Sequence, residues 1–338
     1  MESVPPHFPN ARIESETTRI LDAPQPIYLW HLTSLDAPTV ALVWSLAFAW
    51  IARVHLPLWI PVLLTLTVWS VYVTDRLLDA HAALRAQNLL LLRDRHLFHW
   101  RHRRILLPLT AAAAVAAACI VFILMPPIAR ERNSVLAAAS LAYFTRVHTG
   151  RNLPPLLPRV LSKELLVGLL FTAGCLLPAL TRVTASATPL TYTLIAPLLI
   201  PAAFFALLAW LNCHAIDRWE AGLSLRPEMK IALKGTGFSP YINPPALRQS
   251  LAPEGNRPDP PSFIPSFSAA SLLALAGLLL AAILLTSPRS ATLLVAGSTS
   301  AFRLALLDRL RTRLTPVALR AAADFVLLTP LFLFLFAK

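Results

Sequence analysis

Apolar residues run in long blocks along the chain, without the alternation of strands or the narrow stripe of surface helices. Blocks of about 15–24 residues are separated by short basic or proline-rich stretches, the pattern of a helical protein that crosses a bilayer repeatedly. The pattern predicts an all-α integral membrane protein, a bundle of about nine transmembrane helices. The spans are expected near residues 37–54, 57–74, 105–126, 134–147, 161–180, 189–213, 268–286, 290–307 and 316–337. The chain then divides into an N-terminal tail, 1–34, and a membrane domain, 35–338. Two longer connections, 79–104 and 214–268, interrupt that domain. With only nine glycines, close helix approach must rest largely on alanine-rich faces such as Ala111–Ala118.

Composition agrees with this reading. Of 338 residues, 56% are hydrophobic and 14% charged, against about 25% charged in soluble domains. The net charge of +13 would suggest nucleic acid in a soluble chain. Here the cations sit between apolar blocks, so they mark loop orientation and lipid headgroup contacts, and no nucleic acid partner is expected. The connections after even-numbered spans hold seven, four, six and four Lys+Arg. Those after odd-numbered spans, with the C-terminus, hold six in all. The bias puts the N-terminus and the two long connections in the cytoplasm. Cys119, Cys175 and Cys213 lie in or at the end of apolar blocks and read as small apolar residues. The first 30 residues lack the pattern of a cleaved signal peptide.

Two stretches could carry chemistry. In Tyr72-Val73-Thr74-Asp75-Arg76-Leu77-Leu78-Asp79, at the end of span two, Asp75 and Asp79 stand at i and i+4. On a helix they share one face, about 6 Å apart at Cβ, and can converge on a hard cation. The plain alternative is a solvated loop start with the acids paired to Arg76 or Arg85. At the end of span six, Asn212 and His214 precede Asp217 and Glu220, an i, i+3 pair. That stretch could equally be an interfacial helix end marked by Trp210 and Trp219. Four spans apart, the two acidic stretches must emerge on the same side. Facing carboxylates with cationic loops around them suit a metal–diphosphate site, because bridging Mg²⁺ turns carboxylate–diphosphate repulsion into attraction.

Nine spans with acidic motifs after spans two and six resemble the UbiA superfamily of intramembrane prenyltransferases, from about residue 35 to 337. The usual first motif is NxxxDxxxD; this chain keeps Asp75 and Asp79 and has Val71 at the asparagine position. The usual second motif is DxxxD; here Asp217 is followed by Glu220 at a different spacing. The basic run 93–104 stands where an RTxxRP stretch commonly follows the first motif. The segment from Tyr143 and Arg146 to Pro154, and the Lys163-Glu164 start of span five, look like further family stretches. The resemblance implies a Mg²⁺-dependent transferase of the bacterial inner membrane. It would move a prenyl group from its diphosphate to a lipophilic, aromatic acceptor. Asp75, Asp79 and Asp217 would be catalytic and, with Glu220, would hold Mg²⁺. Asn212, Tyr143, Arg146 and Lys163 would bind substrate. The departures from both motifs support a second expectation, a non-catalytic or transporter-like protein that keeps the fold. A CDP-alcohol phosphatidyltransferase is excluded, since DGxxAR is missing.

Lesser signals remain. His96, His99 and His102 recur every three residues among arginines and read as interfacial side chains. Asp324, deep in span nine, stands one turn from Arg320; it is either functional or simply paired with that arginine.

Overall fold

In the computed structural model the described residues are 25–85, 93–149, 162–185, 191–224 and 266–336, all helical or in short connections. The tail 1–24, most of the connection 214–268, and the segment through Arg151 and Pro154 lie outside them. Twelve helices follow in order: α1 (Gln25–Leu32), α2 (Asp36–Ile51), α3 (Trp59–Arg85), α4 (Asp94–Arg101), α5 (Arg103–Ile123), α6 (Pro127–Thr149), α7 (Lys163–Ala185), α8 (Thr191–Ser224), α9 (Ser266–Ile283), α10 (Pro288–Leu310), α11 (Pro316–Val326) and α12 (Leu331–Phe336). No strand occurs among the described residues.

Five helices, α3, α5, α7, α8 and α10, are long and apolar enough to cross a membrane; α1 and α2 together make a sixth, bent by 92°. The bend centres on Ser34, whose φ of 61° is left-handed. Carbonyls at the end of a helix lose their intrahelical partners and must be satisfied elsewhere. Here α3 supplies the donors: Arg76 Nη1 reaches the His31 carbonyl at 2.9 Å and Trp69 Nε1 the Thr33 carbonyl at 3.0 Å. The right angle is therefore fixed by side chains of another element.

The last apolar block is also broken. α11 stops at Val326, and α12 starts only after Pro330, a residue with no N–H to continue a helix. Trp44 Nε1, from the middle of α2, donates to the Leu327 carbonyl at 2.9 Å and satisfies part of that break. Ser300 of α10 donates to Thr329 Oγ1 at 2.8 Å.

The core lies around α2. Trp44 stacks on Phe205 of α8 with centroids 3.8 Å apart, and Phe48 lies edge-on to the same ring at 6.1 Å. All three are completely buried. α7 packs closely along α8 because Gly168 has no side chain. A Cβ there would stand 2.9 Å from both the Ala206 carbonyl oxygen and the Trp210 nitrogen. In lipid, helices associate by such close van der Waals fit and not by a hydrophobic drive. Away from the cavity described below, α5 and α9 carry exposed Leu109, Val115, Ile123, Leu275 and Ile283, apolar surface of the kind that suits contact with lipid.

The connection 79–104 is structured at both ends. α3 runs on to Arg85, and the basic run forms α4, which turns at His102 into α5. Asp94 occupies the first turn of α4 and Arg101 the last, the favourable order for the helix dipole.

Candidate functional site

One cavity of about 1880 Å³ follows α3 over its length, with lining residues from Trp59 to Ala83. At a rise of 1.5 Å per residue this is about 35 Å. Most of its wall is apolar. Polar groups gather where α4 covers the ends of α3, α8 and α11.

The acidic residues reach the cavity through helical spacing. On α3, Tyr72, Asp75, Arg76 and Asp79 follow at three and four residues, and all line it. On α8, Cys213, Asp217 and Glu220 follow at four and three residues, and Asn212, one position before Cys213, lines it too. Tyr143 of α6 and Lys163 of α7 also line it. Seven of the residues singled out from sequence thus share one cavity: Asp75, Asp79, Tyr143, Lys163, Asn212, Asp217 and Glu220. Arg146 lies on α6, but its side chain is outside the described residues.

Glu220 stands apart from the other acids. Spacing points it at a cation; in the structure it meets guanidinium groups. Arg95 Nη1 donates to its Oε1 at 3.0 Å, Arg320 Nη1 donates to the same oxygen at 2.7 Å, and Arg93 Nη1 pairs with its Oε2. One carboxylate thus faces three guanidiniums. Burial, then the neighbouring Arg320, pulls Arg95 well below the ordinary arginine range; the same two causes act on Arg93. The cluster is therefore short of negative charge. Arg320 Nε is buried with no hydrogen-bond partner among the described residues.

These arginines were not selected from sequence. Arg93 and Arg95 belong to a run whose density of charge and aromatics reads as a headgroup anchor. Their partner Glu220 lies over a hundred residues away, and no local spacing encodes that contact. The histidines of the run also differ from expectation. His96 and His99 are buried, and His96 Nε2 comes within 4.0 Å of Asp79 Oδ2. α4 thus stands over both the acids of α3 and the end of α8.

Deeper in the bundle lies a second polar group. His31 Nδ1 donates to Asp36 Oδ2 at 2.7 Å, and Arg76 Nη2 donates to the same oxygen at 3.2 Å. Asp324 accepts from Asn212 Nδ2 at 3.2 Å, while Arg320 turns to Glu220. His31, Asp36 and Asp324 bring ligand-type atoms within 4.8 Å of one another. A cation there would displace the His31 proton and face the Arg76 guanidinium, so the trio is better satisfied as a hydrogen-bonded ion network.

Compared with known proteins, the chain matches no family profile, no curated protein and no solved structure.

Proposed function

We propose that the protein is a diverged UbiA-like intramembrane prenyltransferase, Mg²⁺-dependent and oriented with α4 in the cytoplasm. In this reading α6, α9 and the α11–α12 pair complete nine passes with the six spans above. The observation that carries it is the arrangement within one cavity. Three carboxylates, Asp75, Asp79 and Asp217, and the arginine cluster lie at one end of an apolar channel long enough for a lipid tail.

The donor type suits the metal: Mg²⁺ takes hard oxygen ligands, typically one or two carboxylates with water and phosphate oxygens. Waters would have to complete the set, because the three carboxylates do not all lie within 4.8 Å of one another. Asp75, Asp79 and Asp217 would hold it, and when bound it would neutralise charge on the diphosphate. Glu220 serves as counter-ion to the arginines. Arg93, Arg95 and Arg320 face the diphosphate, and Lys163 approaches it from α7. As the allylic C–O bond breaks, negative charge grows on the leaving diphosphate, and fixed guanidiniums stabilise that charge most in the transition state. The apolar wall keeps water from the carbocation. Tyr143 borders the same space.

A second reading, a carrier without chemistry, is favoured by one observation: the lining reaches both ends of α3. Purified full-length protein in detergent separates the two. Binding of radiolabelled farnesyl diphosphate is measured with and without Mg²⁺, for wild type and Arg320→Gln. The prenyltransferase reading expects binding that needs Mg²⁺ and weakens by about 2–3 kcal/mol in the variant. Binding indifferent to both would support the carrier.

A further inference from the structure

Along α8, Asn212 lies five residues before Asp217, about 7 Å further from the α4 end. It is 4% exposed, it lines the cavity, and its Oδ1 has no hydrogen-bond partner among the described residues. A buried amide oxygen left unpaired is costly. Its Nδ2 is committed to Asp324 Oδ1, which fixes which way the amide faces. The other Asp324 oxygen has His31 Nδ1 only at 4.0 Å, beyond hydrogen-bond reach, because that nitrogen gives its proton to Asp36. Two acceptors, Asn212 Oδ1 and Asp324 Oδ2, thus belong to a hydrogen-bonded pair of cavity-lining residues, and no described residue is seen to donate to either.

We infer that Asn212 and Asp324 form a second subsite in this cavity, one that takes the hydroxyl group of an uncharged, lipid-soluble compound. An acceptor-only site calls for a ligand that donates. Arg76 faces Asp36, and three arginines face the single Glu220 carboxylate, so the excess charge nearby is positive and disfavours an ammonium ion. The surrounding wall is apolar, and Ala37, Ala209 and Leu327 line it with Asp36. A phenol or alcohol with an apolar body gives its one hydroxyl proton to Asn212 Oδ1, the buried atom without a partner, while its body fills that space. The inference deepens the proposed function, since a compound held there would be the prenyl acceptor, beside the diphosphate end of the cavity. Binding alone is claimed, and it needs neither Mg²⁺ nor diphosphate.

The test uses two probes that differ in one donor, radiolabelled 4-nonylphenol and its methyl ether. Equilibrium binding to full-length protein in detergent is measured without Mg²⁺ or diphosphate. Wild type should bind the phenol about tenfold more tightly than the ether, and Asn212→Leu should remove that preference while the ether binds as before. Equal binding of phenol and ether by wild type overturns the inference without any variant. A preference that survives Asn212→Leu overturns it too, as the hydroxyl is then read elsewhere or by bridging water. Loss of Mg²⁺-dependent prenyl-diphosphate binding in the earlier experiment would defeat the transferase reading and leave this result standing.

Discussion

Ser34 and His99 join two parts of the chain that the sequence keeps 65 residues apart: the hydroxyl donates to His99 Nε2 at 3.0 Å. The direction follows from the other ring nitrogen. His99 Nδ1 lies 2.7 Å from the Arg95 carbonyl, which can only accept, so Nδ1 carries the proton and Nε2 receives one. The pair locks α4 to the α1–α2 elbow.

The buried His99 ring sets a pH dependence. Burial is the main cause that pushes His99 down to about 4, from 6.5. The folded state resists the proton that the released ring would take, so stability is full above about 6.5 and falls as pH drops through that window toward 4. The loss should reach about 2–3 kcal/mol. Cysteine accessibility at Leu97, on the exposed side of α4, should rise in step between pH 6.5 and 4. In His99→Phe that rise should vanish. An unchanged profile in the variant would show that another group governs it.

Arg76 holds the elbow from α3. Arg76→Ala should cost about 3–5 kcal/mol, because Asp36 would keep a buried charge without its guanidinium. Thermal unfolding in detergent reads this directly. Replacing both partners, Arg76→Met with Asp36→Leu, should cost less than the single change. A double variant worse than Arg76→Ala would show that the elbow needs the ions themselves.

Gly168 sets the separation of α7 and α8. Gly168→Ala places a methyl against backbone atoms that cannot turn aside, so about 1–3 kcal/mol of stability should be lost. The cavity-lining Lys163 and Val167 lie within two turns on the same helix, so farnesyl diphosphate affinity should fall as well. A normal melting temperature would mean that the two helices part at no cost.

Asp75→Asn keeps shape and removes one anion from the α3 pair. Mg²⁺-dependent binding of farnesyl diphosphate should weaken by about 2–4 kcal/mol, with release of diphosphate falling at least as far. Isothermal titration with Mg²⁺ present and absent checks it. Binding equal to wild type under both conditions would remove Asp75 from the metal site.

Much of the helix layout was readable because helices long and apolar enough to cross a membrane stand out as continuous apolar blocks. α3, α5, α8 and α10 fall where such blocks predict. The 92° elbow was not, because Ser34 carries no glycine or proline signal, and the donors that hold the bend come from Trp69 and Arg76. The break in span nine had a local mark, Pro330, hidden within an otherwise apolar run. At the site, Asp75 with Asp79 and Asp217 with Glu220 were legible as cavity-lining pairs, since three- and four-residue spacings keep side chains on one face of a helix. Arg93, Arg95 and Arg320 were not, as their common partner Glu220 is a product of packing. The Arg320–Asp324 pairing, one of the two readings open for Asp324, also gave way to that partner.

The hydrogen bond from Trp44 to the Leu327 carbonyl spans 283 residues, and it constrains the order of biogenesis. The α2 core cannot close while the ribosome is still making α10, so α2 must wait with its indole unpaired. Contacts of such long separation form last and slowly. Until then the nascent protein depends on lipid or an insertase to shelter that polar group, and its quality control amounts to a check that nearly the whole chain has been delivered. Nascent chains stalled at residue 315 should remain protease-sensitive between α2 and α3, and full-length chains resistant.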